Sequence, residues 1–214
     1  MKLFGYWRSS ATYRVRIALN LKELDYDYEP VNLLQGEQSS PEHLARNPQG
    51  LVPALVTDDG DVITQSLAIM EYLDDVYPKH PILPKDTVAR AHARAIAATI
   101  ACEAQPFMNL RIQNYLKNKG GFDKDATTAW LNTWPGGAMG AAQKLITQSN
   151  GEYCVGDTPT IADCCLVPQW FAASRFGVDV SRFTKLKEIF DRCSTLPAFE
   201  KAHPLNQPDA VKTK

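Results

Sequence analysis

The segment "YPKHPILPKD", Tyr77–Asp86, constrains this chain more than any other. Three prolines, Pro78, Pro81 and Pro84, fall within seven positions. Each lacks an amide hydrogen and fixes its own φ, so neither a helix nor an inner strand passes through such a run. The chain must fold as what stands before the segment and what stands after it. Before it, short apolar runs alternate with turn residues; after it, the strand pattern is gone. The expected division is a domain at 1–80, a linker at 81–86 and a second domain at 87–214.

The first part reads as a small mixed unit. "KLFGYW" (Lys2–Trp7) is apolar and aromatic, a strand pattern. In "TYRVRIALNLK", Val15, Ala18, Leu19 and Lys22 share one helical face, which Ile17 and Leu21 widen. Tyr26–Leu34 predicts a second strand and Pro41–Arg46 a short helix. Leu51–Thr57 and Val62–Thr64 flank Asp58-Asp59-Gly60 as a hairpin. "SLAIMEYLDDVY" predicts a helix capped by Ser66. The order is β-α-β-α-β-β-α. The second part predicts helices only: Thr87–Lys119 with a kink at Pro106, Asp123–Ser149 whole or broken around Pro135, Thr160–Arg175, Thr184–Cys193 and Ala198–His203. The polar tail Asn206–Lys214 is expected to be poorly ordered. The fold class is α/β plus all-α.

Bulk chemistry excludes several functions. A net charge of −1 over 214 residues leaves no basic surplus for a nucleic-acid backbone. No apolar run approaches the roughly 18–20 residues of a membrane span, and "MKLFGYW" is too short for a secretory signal. The five cysteines are odd in number, Cys164 and Cys165 are adjacent, and no CxxC pair exists. That is no disulfide framework, so a reducing compartment, the cytoplasm, is expected. His43, His80, His92 and His203 lack metal-ligand spacing and read as surface or linker residues, so no metal is expected. "PGGAMGAA" is glycine-rich, but no GK[ST] follows, which excludes a P-loop.

Candidate functional residues gather at helix starts. Ser9, Ser10 and Thr12 stand at a strand-to-helix junction. Hydroxyls there cap a helix; the free amides and the helix dipole also make an anion site. Such a site suits a thiolate, and with no cysteine among these residues the thiolate must come from a ligand. Val52-Pro53 in "LVPAL" is either an edge-strand proline or a cis-proline that turns the Val52 backbone toward a ligand. Gln65 and Ser66 stand at a second helix start. Thr160-x-x-Asp163 is a capping-box variant that serves folding, and Cys164 and Cys165 read as small core residues. Arg8, Arg111 and Arg175 are candidate forks for carboxylates.

In this order the motifs resemble the glutathione transferase superfamily, and more narrowly its zeta class. "RSSATYRVRIALNLK" is similar to a signature of serine-serine-cysteine before an Arg-Val-Arg-Ile-Ala-Leu helix. "VPAL", "QSLAI", "YCVGDTPTIADCCLVPQ", "RFGVD" and "HPLNQPD" extend the likeness over nearly the whole chain. The motifs are specific together and weak separately. The resemblance implies a thioredoxin-like domain followed by an all-helical one, a homodimer, and glutathione as cofactor. It puts Ser9 on the glutathione sulfur with Ser10 in support, and favours the cis form of Val52-Pro53. It places Gln38, Gln49, Val52, Pro53, Gln65, Ser66, Gln105, Asn109, Leu110 and Arg111 at glutathione contacts. Ser9, Ser10 and Arg175 are then catalytic, and Arg8, Arg111 and Arg175 hold substrate carboxylates. The implied activity is cis–trans isomerisation of a maleyl-type dicarboxylic acid, maleylacetoacetate of aromatic amino-acid catabolism. The alternatives are a maleylpyruvate isomerase, a transferase that conjugates or dehalogenates small electrophiles such as α-haloacids, and a non-catalytic binding module. One departure stands out: the signature cysteine is Ala11.

Overall fold

Apolar alternation sets the sheet at the start of the chain. In the computed structural model, which describes residues 1–147 and 151–211, Lys2–Gly5 forms β1. Successive strand side chains point to opposite faces. Leu3 and its antiparallel partner Leu55 are fully buried on one face, while Phe4 and its partner Ala54 belong to a cluster with Tyr6, Trp7, Val31 and Val52 on the other. Both faces are therefore covered.

The strands are β1, β2 (Asp27–Pro30), β3 (Ala54–Val56) and β4 (Val62–Thr64), in the order β2-β1-β3-β4. β1 and β2 pair in parallel, which requires a crossover; α1 (Ser10–Leu21) supplies it. β3 pairs antiparallel with β1 and with β4. α2 (Pro41–Arg46) precedes β3, and α3 (Ser66–Val76) follows β4 and packs on α1. Gly5 is required at the end of β1, because a Cβ there would stand 2.3 Å from Thr12 Cγ2 of α1.

The remaining helices are α4 (Thr87–Glu103), α5 (Leu110–Asn118), α6 (Lys124–Thr147), α7 (Ile161–Phe176), α8 (Thr184–Ser194) and α9 (Pro197–Ala202). The expected helix 87–119 is broken rather than kinked at Pro106, which opens a 3-10 turn, Pro106–Met108. Pro135, by contrast, sits inside a continuous α6. The Ser149 end of that expected helix lies outside the described residues. α4 packs on α6 and α7. α7 is buried along most of its length, Cys164 and Cys165 included, and opens with the expected Thr160–Asp163 capping box.

Two compact units result. One comprises Met1–Ile82 and the described residues from Ser194 onward; the other is Leu83–Cys193. The break falls inside the expected 81–86 linker. The stretch after 193, however, does not group with the helical domain as expected, because α9 packs on α1. Nor is the tail loose up to Val211: Asp209 accepts the Trp7 amide at 3.0 Å and the Tyr28 hydroxyl at 3.2 Å, and Ala210 packs on the Phe4 cluster. Lys212–Lys214 lie outside the described residues.

Candidate active site

Ser9 ends the turn between β1 and α1. Its extended backbone (φ −67°, ψ 119°) makes it the N-cap of α1, and its Oγ accepts the Thr12 amide at 3.2 Å. An oxygen that already accepts from an amide leaves its own proton to donate elsewhere. Ser10 and Ala11 follow in the first turn, where amides have no intrahelical acceptor. Thr12 does not join this display. It is fully buried, and its Oγ1 accepts the Tyr6 amide at 3.5 Å. Arg8 is half-buried, with its guanidinium 4.7 Å from the centre of the Trp7 ring.

A second group forms around the start of α3. The Val52-Pro53 bond is cis. Just ahead of it, the Leu51 carbonyl accepts from His43 Nε2 at 2.9 Å and from Asn47 Nδ2 at 2.8 Å, which anchors the loop. His43 is thus buried, 2% exposed, and not the surface residue expected. The reason is that a buried carbonyl demands a donor. Gln65 Nε2 donates to Gln49 Oε1 at 2.6 Å. Gln38 is half-buried, and its Oε1 has no hydrogen-bond partner among the described residues.

Gln65 holds φ +68°, ψ 116°, a region that side chains disfavour and that marks functional sites when observed. It occupies the cap position of α3 with no side-chain cap bond. Ser66 is therefore not the cap, contrary to the sequence expectation. It is the first helical residue, and its Oγ is taken up by Arg14 Nη1 at 3.1 Å. Arg14 itself is 2% exposed. The α3 amides open without a side-chain acceptor, an arrangement suited to a carboxylate.

The second unit carries the other candidates. Gln105 is half-buried beside the 3-10 turn, and Asn109 caps α5 by accepting the Arg111 amide at 2.9 Å. Leu110 and Arg111 are exposed. Arg175 is exposed near the end of α7, 4.4 Å from the centre of the Phe176 ring. The structure thus gathers Gln105–Arg111 in one stretch and leaves Arg175 on a different helix. The first unit contains no cysteine. In the second, burial pushes the Cys154, Cys164 and Cys193 thiols up, which disfavours their thiolate forms. Among the described residues no three His, Cys, Asp or Glu side chains cluster as a metal site, and no helix is long and apolar enough to cross a membrane.

Sequence reasoning missed Arg14 as a partner of the α3 start. Arginine on an amphipathic helix reads as solvent-facing, and only the packing of α1 on α3 turns it inward.

Known proteins bear on this geometry. Residues 1–75 match the glutathione S-transferase N-terminal domain, and residues 141–197 match its C-terminal domain. The chain is 44% identical over 211 residues to a maleylacetoacetate isomerase of Pseudomonas aeruginosa, covering 98% of each protein. A solved maleylpyruvate isomerase, described as a bacterial glutathione S-transferase of the zeta class in holo form, superposes with a TM-score of 0.94 at 42% identity, covering 99% of this chain and 100% of that one. A maleylacetoacetate isomerase of Methylobacterium extorquens AM1, solved with bound malonate and glutathione, superposes with a TM-score of 0.93 at 37% identity, covering 99% and 100%. A thioredoxin-like unit with its hydroxyl-bearing helix start, and matches running from end to end, mean that this chain belongs to the glutathione S-transferase family, in its zeta class.

Proposed function

We propose that the chain is a glutathione-dependent cis–trans isomerase of a maleyl-type dicarboxylic acid, with maleylacetoacetate, the substrate named for the Pseudomonas aeruginosa relative, as its substrate. The observation that carries this reading is Ser9. Its oxygen is occupied by the Thr12 amide, its proton is available, and Ala11 stands where a protein thiol would compete. The residues also fit glutathione, a peptide with two carboxylates, amides and a thiol. The uncapped α3 start suits a carboxylate, and the orphaned Gln38 Oε1 suits a peptide N–H.

Bound glutathione supplies the thiolate that adds reversibly to the cis double bond, and it is released unchanged. A free thiol has a reference pKa of about 8.5. The α1 N-terminus and the Ser9 hydroxyl lower it, as helix N-termini lower thiols to about 3.5–7.5. A shift of two units corresponds to roughly 2.7 kcal/mol of preferential thiolate binding. Serine does this by donating a hydrogen bond and keeps its proton. Ser10 supports it from the first turn. Gln49, Val52, Pro53, Gln65 and Ser66, with Gln105, Asn109, Leu110 and Arg111 on the second unit, are assigned to glutathione. Arg8, Arg111 and Arg175 are assigned to substrate carboxylates, for which guanidinium forks are the matching partner. A homodimer in the cytoplasm belongs to the same proposal, on the strength of family membership.

The test is to incubate the enzyme separately with maleylacetoacetate and maleylpyruvate, each with glutathione well below the substrate concentration. Trans product in many-fold excess over glutathione is the expected result. Stoichiometric loss of glutathione would instead mean a conjugating transferase, and no turnover of either acid a binding module.

A further inference from the structure

The turn that carries Ser9 is held from the far end of the chain. Trp7 is buried, and both of its backbone polar groups are taken by charged side chains. Its amide donates to Asp209 Oδ2 at 3.0 Å, across a sequence separation of 202. Its carbonyl accepts from Arg16 Nη2 at 2.9 Å. Arg16 is fully buried in α1, and its Nε also donates to the Ala202 carbonyl at 3.1 Å. Tyr28 closes the circuit. Its hydroxyl donates to Asp209 Oδ2 at 3.2 Å, and its ring centre lies 6.0 Å from the Arg16 guanidinium. The turn around Trp7 is held as well: Tyr6 by its amide on Thr12 Oγ1, and Ser9 by its amide on the Tyr6 carbonyl at 2.9 Å.

A buried amide and carbonyl need partners, but neutral ones would satisfy them. Hydrogen bonds to ionised groups are about twice as strong as neutral ones. Two of them on one residue, two positions before the sulfur-binding hydroxyl, make a rigid mount. We infer that Arg16 and Asp209 are positioning residues for the serine turn: by clamping Trp7 they fix where the Ser9 hydroxyl and the Arg8 guanidinium stand. The segment after α9 is then a working part of the glutathione site. This rests on the reading of Ser9 as the thiolate donor.

The clamp and a mere staple of the C-terminal segment differ in what they change. A staple contributes to stability only. A mount also sets reactivity, because displacing a reacting group by about 1 Å costs on the order of a hundredfold in rate.

The test uses the full-length chain and three variants, Asp209→Asn, Arg16→Lys and Tyr28→Phe. Bound glutathione is titrated by its thiolate ultraviolet absorbance, and kcat, KM for glutathione and Tm are measured. Asp209→Asn keeps the shape and removes the charge. It is expected to raise the bound thiol pKa and to lower kcat about tenfold, with a smaller change in KM, at temperatures well below Tm. Tyr28→Phe keeps the ring and removes one donor to Asp209, so it shifts both quantities the same way by less. It carries the test if Asp209→Asn or Arg16→Lys fails to fold. Folded variants with lower Tm but unchanged thiol pKa and kcat would reduce the clamp to a staple and overturn the inference. A wild-type protein that leaves the bound thiol at its solution pKa overturns the reading of Ser9, and the inference with it.

Discussion

At Ser9 the oxygen accepts the Thr12 amide at 3.2 Å, and in the function proposed above its proton is the donor to the glutathione thiolate. Ser9→Ala separates the two. Loss of the cap costs about 1 kcal/mol of stability, read as a fall in denaturation midpoint. Loss of the donor is expected to return the bound thiol pKa toward about 8.5 and to lower kcat by roughly a hundredfold, as removing one preorganised donor does elsewhere. An unchanged thiol titration would remove Ser9 from the chemistry. The hydroxyl cluster of the sequence also resolves into separate tasks: Ser9 caps α1, and Thr12 is buried against the Tyr6 amide. Arg14 and Arg16 sit in the same signature, yet the sequence did not reveal that they are 2% and 0% exposed. Burial of a guanidinium depends on carbonyls and hydroxyls brought from elsewhere, such as Ala202 O and Ser66 Oγ, and spacing along one helix does not contain them.

Among the elements, α7 shows how local pattern and burial combine. Asp163 is fully buried, and its carboxylate accepts the Cys154 amide and both the amide and hydroxyl of Thr160. Burial pushes its pKa up, against those donors. Asp163→Ala orphans several donors at once and is expected to cost about 3 kcal/mol or more, each orphan contributing roughly 1–3. Thr160→Ala should cost only about 1 kcal/mol, because the Asp163 acceptor stays. Urea melts of the two variants check the contrast; equal losses would contradict it. Beyond α9, the imidazole of His203 is half-buried, and its Nδ1 accepts the Leu205 amide at 3.2 Å. Burial, then the nearby Arg16 charge, lowers its pKa. The unfolded chain therefore binds the proton more readily than the folded one, so stability rises with pH in this window. His203 brings no penalty above about pH 6.5 and a growing one as pH falls from there toward the folded pKa. His203→Asn should flatten the dependence of Tm on pH between about 5 and 7; an unaltered slope would dismiss the residue as its source.

For the molecule as a whole, the consequence is that its first unit is discontinuous in sequence. Met1–Ile82 is completed by the chain after Cys193, with α9 on α1 and Phe199 only 1% exposed. A fragment spanning 1–82 is expected to unfold at a lower temperature than the first unit does in the full chain, and with a broader transition, since the α1 surface it would expose belongs to the core. Circular dichroism melts decide this, and a sharp, unshifted transition would refute it. The sequence by itself determined the two-part character of the chain, the β-α-β-α-β-β-α order, the start of α1 at the serines, the capping box of α7 and the family. Apart from the family, which rests on motifs spread along the whole chain, these rest on neighbours in the chain: proline runs forbid regular structure, alternation and helical spacing set the elements, and a cap lies within a few residues of what it caps. Only the tertiary structure decided that His43 is buried on the Leu51 carbonyl, that Gln65 rather than Ser66 stands at the α3 cap, that Arg14 meets Ser66, and that Asp209 reaches Trp7. The three pairings among these join a polar group to a partner it needs once water is excluded, and that partner is chosen by the fold and not by the distance along the chain.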